Sequence, residues 1–563
     1  MRDVDSQTDA GINRRRIVQA LGGAGTVGLA GCLGGDGPDP EDGGTTTDDD
    51  DDAVADGETE FVVTLDEGIT SFDSIEITDA NTRSATGLVY ERLTAVDFDL
   101  NVQPVLATSV DPIDDTTVRV PLREGVEFHN GDPFNAYSVK ASIERSVGTA
   151  RDGFISPWYD GAEIIDEHTI EFELVEPFSP LAAEMFPEIQ MVPEGAADGD
   201  VDLTEQPIGT GPFEFDEHQE GSYFRVRKNE NYWFEGDDDV PGEPAVDVVT
   251  FRIIGESSTQ ESALRTGEVD LITTPPTESA ESLRDEEDIN LHEIAGGTFL
   301  NLEFPTKASP YSNRDVREGI TRIVPREDII DVVFNGLAVP AHVLVPPMMV
   351  DFRDDEFLDR IKDEYTGHDH DLGVELIEQG FEEEGITAPH ETSILTNDAP
   401  ERTRTAEIMQ NVLEGTGLFE VEIVEAEWSA YVDRTGDGEA AERNEIIIGG
   451  ITGSPSPWEY FNRIVTESGI PPACCNFAEW TDDRMEELLS ETAATFEFDE
   501  QKPMYEEMME LAAEGAPRAM ILWQSEINAS RDYVDGWEVF YDPAWQFSSV
   551  YAPFAGTYTS LNQ

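Results

Sequence analysis

Several groups of residues in this sequence have the types and spacing that chemistry needs. His129 and Asp132, three positions apart, could exchange a proton as acid and base. They sit around Asn130-Gly131 and just before Pro133, however, where such side chains hold a turn ahead of a helix, and we read them as scaffold. His368-Asp369-His370-Asp371, with Asp363 and Glu364 nearby, carries the nitrogen and oxygen donors a transition metal takes. Asp371 stands where a cap belongs, ahead of Leu372, Glu375, Leu376 and Ile377 and a stop at Gly380. That leaves the histidines on an exposed acidic loop and predicts no metal site. Cys474 and Cys475 are adjacent and have no further Cys or His at ligand spacing, so they read as small core or turn residues, with a strained vicinal disulfide as the alternative. Gly23-Ala24-Gly25-Thr26-Val27-Gly28 spells a dinucleotide fingerprint, but no strand precedes it to form the βαβ unit that gives the motif meaning. No Walker, HExxH or GxSxG motif is present, so no cofactor is expected and a secreted hydrolase or amidase is only the competing class.

The better place to look for a ligand is the exit of Glu445-Ile446-Ile447-Ile448-Gly449-Gly450, an apolar run that predicts a buried strand. Strand ends at crevices collect binding residues, and Ile451 to Trp458 follows here with Thr452, Gly453, Ser454 and Ser456. No acid stands in this turn before Glu459. Hydroxyls together with Trp458, Trp428 and Tyr431 suit a neutral polar ligand such as a saccharide, although aromatics at such positions also serve as plain core.

These residues need a scaffold, and composition constrains it. Thirty-four basic residues stand against 121 acidic ones, a net charge of −87, with only five lysines in the whole chain. A polyanion needs a basic patch, so nucleic acid is excluded as a partner. Extreme charge also marks disordered chains, but 39% hydrophobic residues with eight Trp and 28 Phe provide a core. A halophile's surface reconciles the two, because near 1 M salt the screening length falls to about 3 Å and the carboxylates stop repelling one another.

Arg14-Arg15-Arg16 precede an apolar run from Ile17 to Ala30 that is too short for a membrane span, which takes roughly 20 residues. Asn13 to Ile17 resembles a twin-arginine export signal and Leu29-Ala30-Gly31-Cys32 a lipobox, which would leave Cys32 lipidated on the outer face of the membrane. Residues 33–59, with the aspartate run Asp48 to Asp52, then form a charge-extended tether. From Glu60 onward strand signals such as Phe61-Val62-Val63-Thr64-Leu65 and Val248-Val249-Thr250-Phe251-Arg252-Ile253 alternate with helical segments, so the body is mixed α/β. Asn528-Ala529-Ser530 is a glycosylation sequon, compatible with exposure outside the cell.

Val118 to Ser146 resembles a stretch of the oligopeptide and dipeptide-binding family, the extracellular receptors of ABC importers. There Asn130 to Pro133 is a turn and Asn135 caps a helix with Val139, Ile143 and Val147 on its apolar face. Pro207 to Phe213, Asn229 to Trp233, Leu264 to Leu271, and Asp315 to Ile320 with Pro325 to Ala338 are similar to further family segments, in the same order. The resemblance implies a two-lobe periplasmic-binding-protein-like fold of the large peptide-binding class with two hinge crossings. The first lobe would hold residues 60–298 and 527–563, the second residues 299–526. It also implies a monomeric receptor, with permease and ATPase subunits as partners, that hands over its solute unchanged. Peptide-binding members hold the ligand's amine with an aspartate in the turn where this chain has Thr452, Gly453, Ser454 and Ser456. Thr70, Trp158, Tyr159, Thr273 and Thr274 occupy places similar to pocket residues in the family, and Trp523 lies on the strand that returns to the first lobe.

The charge reading predicts that the soluble body loses its native circular dichroism on dialysis from molar to millimolar salt. Cooperative melting retained at low salt would contradict it.

Overall fold

The computed structural model describes residues 57–451 and 455–562. The leader, Cys32, most of the tether and the segment Thr452-Gly453-Ser454 lie outside the described residues. The fold is organised by two long antiparallel strands, Ile289–Glu303 and Arg518–Arg531. The second is buried along almost its whole length, as expected of a central strand covered on both faces. They form the middle of an 11-stranded sheet. On one side follow Glu445–Gly449, His390–Asn397 and Phe419–Ala426; on the other, Leu271–Ile272, Glu60–Leu65, Val248–Ile253, Tyr223–Lys228 and Phe213–Gln219. His390–Asn397 runs parallel to both of its neighbours, so helices make the crossovers, including Pro400–Gly415. Each wing of the sheet belongs to one lobe, and the chain passes between the lobes along the two long strands. The first lobe adds a four-stranded antiparallel sheet, Asp111–Asp114, Thr117–Pro121, Thr169–Leu174 and Tyr159–Asp166.

The register of the long pair breaks between Ala295 and Phe299. Gly296 is required there, because a Cβ would stand 2.7 Å from the Gln524 carbonyl oxygen and 2.9 Å from Cγ of Glu526.

The turn at His129 is scaffold. The buried His129 ring bonds the Gly211 carbonyl at 3.0 Å, and burial lowers its pKa to about 4, which keeps it neutral. Asn135 caps the helix Ala136–Glu144 by accepting from the Tyr137 and Ser138 amides, while Ser138 Oγ accepts from the Asn135 amide.

Three expectations are corrected. Asp369, not Asp371, caps the second-lobe helix, which runs from His370 through Gly380 to Glu384. Gly380 is interior because this helix packs closely on Arg314–Ile323: a Cβ there would stand 2.5 Å from Val316. The sequon Asn528 is fully buried in the central sheet, donating to the Thr273 and Ile527 carbonyls and accepting from Trp537 Nε1, so it has no surface to present to a glycan. Cys474 and Cys475 are joined to each other by a disulfide.

The segments Pro207–Phe213 and Asn229–Trp233 converge on a residue the sequence did not single out. The buried Glu91 carboxylate accepts from Thr210 Oγ1 at 2.8 Å, Tyr232 Oη at 2.7 Å and Trp233 Nε1 at 2.9 Å. Burial raises its pKa to about 7 although these three donors oppose the shift. Replacing Glu91 by Ala leaves three donors facing a void, so chemical denaturation in molar salt is expected to show a loss of about 3 kcal/mol or more. A loss below about 1 kcal/mol would mean the donors find other partners.

Candidate functional site

Two cavities border the segment that links the strand Glu445–Gly449 to the helix Pro457–Ile464. The first, of ≈ 540 Å³, lies in the second lobe at Gly450 and Ile451, where Arg402, Trp428, Tyr431, Arg463 and the Cys474–Cys475 disulfide line it. Trp428 opens the helix Trp428–Thr435, one turn ahead of Tyr431, and the two rings stack at 5.7 Å with 19° between their planes. Tyr431 is fixed from behind by its hydroxyl, which donates to the Ile448 carbonyl, while Trp428 remains 54% exposed. Arg402, in the first turn of the helix Pro400–Gly415, lies over the Tyr431 ring at 5.9 Å and reaches the Gly450 carbonyl only at 3.5 Å.

The second cavity, of ≈ 570 Å³, opens between the lobes. Leu100, Val118 and Leu181 form the first-lobe wall; Met349, Phe352 and Phe498 face them, with Ser456 at the edge. Beside it the lobes touch. Phe178 meets Trp458 edge-on at 5.2 Å, and Ser179 donates its amide to the Ala493 carbonyl and its hydroxyl to Thr492.

Charged residues also gather where the lobes approach, Glu459 of the second feeling Glu188 of the first. Glu188 accepts from Arg83 at 2.7 Å and Arg151 at 2.8 Å; burial pushes its pKa up, but the two guanidiniums outweigh that and hold it below the ordinary value. Arg92 stacks on Trp545 at 3.9 Å. Asp542 and Glu459 are both raised, chiefly by burial, against the pull of Arg83 and Arg463 respectively. Glu526, on the return strand, is pushed up to about 7 by burial and by repulsion from Asp542. Glu188 is the common anchor of two buried arginines. Glu188→Gln is therefore expected to cost about 3–5 kcal/mol in chemical denaturation, since it strands both charges. A cost under about 1 kcal/mol would show that the arginines are held by other groups.

The residues expected at a pocket are distributed unevenly. Trp428, Tyr431 and Ser456 line the cavities, and Ser456 also caps its helix at the Trp458 amide. Trp458 lies at the lobe contact, and its Nε1 has no hydrogen-bond partner among the described residues. Trp523 is fully buried against Phe299 and Tyr460, its Nε1 likewise unpaired among them. Trp158 sits in the first-lobe core, its indole donating to the Phe154 carbonyl, and Tyr159 bonds Glu144. Thr70 bonds Asp79 at the cap of the helix Ala80–Thr86, and Thr274 bonds Gln260. Thr273 accepts from Asn528 at its carbonyl. Gly453 and Ser454 lie outside the described residues. The sequence reading missed Arg402, Glu188 and Glu526; an arginine opening a helix beside an apolar strand was the available signal for the first.

Among known proteins, the model of the bacterial extracellular solute-binding proteins, family 5 middle region, matches residues 101–471. A glutathione-binding protein GsiB of Escherichia coli O1:K1 is 29% identical over 294 residues, 51% of this chain and 56% of the relative, so the match spans about half of each. Its counterpart from Shigella dysenteriae is 23% identical over 501 residues, covering 87% of this chain and 94% of the relative. Among solved structures, HbpA2 from Haemophilus parasuis superposes with a TM-score of 0.76 at 22% identity, covering 90% of this chain and all of that one. Helicobacter pylori DppA in complex with the peptide STSA gives 0.67 at 23%, over 90% and 98%. The lobes, the sheet that joins them and the family model agree, and the chain belongs to the family 5 extracellular solute-binding proteins.

Proposed function

We propose that this protein captures a short peptide outside the cell and delivers it, unaltered, to the permease of an ABC importer. The observation that carries the reading is Arg402: in a chain with 121 acidic residues it forms no ion pair with a carboxylate among the described residues, yet it borders a 540 Å³ cavity beside a stacked aromatic pair. Glu303 lines the same cavity and feels Arg402, but its closest cation is Arg518 at 3.5 Å, which leaves the Arg402 guanidinium able to take a ligand carboxylate. Relatives named for glutathione and for the peptides STSA and Met-Leu support a ligand made of amino acids. The exposed face of Trp428 is the one feature that favours a saccharide instead.

Domain limits at 60–298, 299–526 and 527–563 place the register break at Gly296 beside the first crossing, and we take that break as the hinge. We extend the proposal to a monomeric, lipid-anchored receptor of a halophile, exported by a twin-arginine-type leader and tethered through Cys32, working with permease and ATPase subunits. Cys32→Ser is expected to release the protein into the medium or leave it unprocessed, read by fractionation of cells.

The deciding measurement is calorimetric titration in molar salt with a dipeptide, its C-terminal amide and a disaccharide. The dipeptide should bind, and both the amide and the Arg402→Gln variant should lose about 2 kcal/mol or more. Binding of the disaccharide alone would overturn the peptide reading.

A further inference from the structure

Acids outnumber bases more than threefold in this chain, yet the second-lobe cavity of ≈ 540 Å³ reverses the ratio. Arg402, Arg463 and Arg518 line it, and among the described residues Glu303 is the one acid that does. The four side chains come from the ends of four elements. Glu303 closes one long strand and Arg518 opens the other, directly opposite it in register. Arg402 lies in the first turn of Pro400–Gly415 and Arg463 in the last turn of Pro457–Ile464. The Cys475 amide donates to the Arg463 carbonyl at 2.8 Å, which ties the disulfide to the end of that helix.

These charges are not equally engaged. Arg518 is buried, lies 3.5 Å from Glu303, and donates to Asn301 Oδ1 at 3.3 Å and to the Ile464 carbonyl, so the acid and this arginine cancel within the wall. Arg402 reaches only the Gly450 carbonyl, at 3.5 Å. Arg463 is held as loosely. Its acid is Glu459, one turn back on the same helix at 3.4 Å and not itself on the cavity wall; its other contacts are the two disulfide sulfurs, Cys474 at 3.8 Å and Cys475 at 3.5 Å. Sulfur is a weak acceptor, and a charge-assisted N–H···O bond is ordinarily about 2.7–2.9 Å long. Two guanidiniums thus border one cavity without a close oxygen partner.

A dipeptide with an uncharged side chain brings one carboxylate, enough for one of them. Resting on the peptide reading above, we infer that the ligand is an acidic peptide, whose terminal carboxylate goes to Arg402 and whose side-chain carboxylate goes to Arg463. A guanidinium carries five N–H donors, so Arg463 can take a ligand carboxylate while keeping its contact with Glu459. Its side chain is 37% exposed and partly withdrawn from water, so its attraction for an anion survives molar salt better than that of a surface charge. The disulfide sulfurs hold the guanidinium at the wall in the empty protein without competing strongly for its donors.

The experiment is calorimetric titration of the whole protein in molar salt with Ala-Glu, Ala-Gln and Ala-Lys, which share a backbone and differ in side-chain charge. Wild type should bind Ala-Glu roughly tenfold more tightly than Ala-Gln, and Ala-Lys more weakly than either. Arg463→Gln should bring Ala-Glu down to the level of Ala-Gln, while Arg463→Lys keeps the charge and should retain part of the preference. Glu459→Gln acts in the opposite direction: it removes the acid that shares Arg463, so the preference for Ala-Glu should widen. That variant keeps the shape of the side chain and decides the matter even where Arg463→Gln does not melt cooperatively. Equal affinity of wild type for Ala-Glu and Ala-Gln, a preference that survives Arg463→Gln, or one that fails to widen in Glu459→Gln would overturn the inference while leaving the peptide reading intact. Failure of all three dipeptides to bind wild type would remove both.

Discussion

The antiparallel pair Ile289–Glu303 and Arg518–Arg531 is the constraint on which the rest depends. Each lobe builds its half of the sheet by adding strands to this pair, and the backbone bonds across it hold both halves in one ladder. The register of that ladder fails at two places, between Ala295 and Phe299 and between Leu300 and Asn301, and irregularities of this kind bend a strand and raise its twist. Each lobe keeps a core of its own on its side of the pair, such as Trp158 against Phe172 and Phe186 in the first.

The second constraint is the scarcity of cations. With acids outnumbering bases more than threefold, an interior arginine is a committed resource. Arg317 and Arg326, both buried, are spent on carbonyl groups: Arg317 on Tyr311, Gly515 and Ala516, Arg326 on Ala341 and Met520. Arg434 and Arg443 close on the fully buried Glu445 at the head of its strand. These assignments tie secondary elements together, and they make the placement of Arg402 informative, because the buried acid beside its cavity, Glu303, is paired with Arg518 instead.

Much of the scaffold could be read from the sequence because it depends on local rules. Asn135 and Ser138 meet through a three-residue spacing, and the alternation of Phe61, Val63 and Leu65 sets the buried face of a strand. What could not be read were partnerships across long separations. Glu91 meets Thr210, Tyr232 and Trp233 from more than a hundred residues away, and nothing near Glu91 announces it. Gly380 looks like a helix terminator until the facing helix is placed and the glycine proves to be a point of contact. Asn528 has the pattern of an exposed sequon, yet its strand runs through the centre of the molecule. The site was legible in part for the same reason: Trp428, Tyr431 and Ser456 flank a strand end that hydrophobicity marks, whereas Arg402 joins them only once its helix is placed beside that strand.

Surface charge and ligand charge are separate matters in such a protein. At low ionic strength a net charge of −87 repels any anionic solute before it reaches the cleft. In molar salt the screening length shrinks to about 3 Å, shorter than the distance from most surface carboxylates to a solute at the entrance, so that field disappears. Groups withdrawn from water are screened far less, and a carboxylate or guanidinium inside the closed cleft keeps most of its reach. Selection by charge must then be exercised by interior residues. Between the lobes the largely withdrawn charges are cancelled in pairs such as Glu188 with Arg83 and Arg151, so interior charge is set independently of the surface.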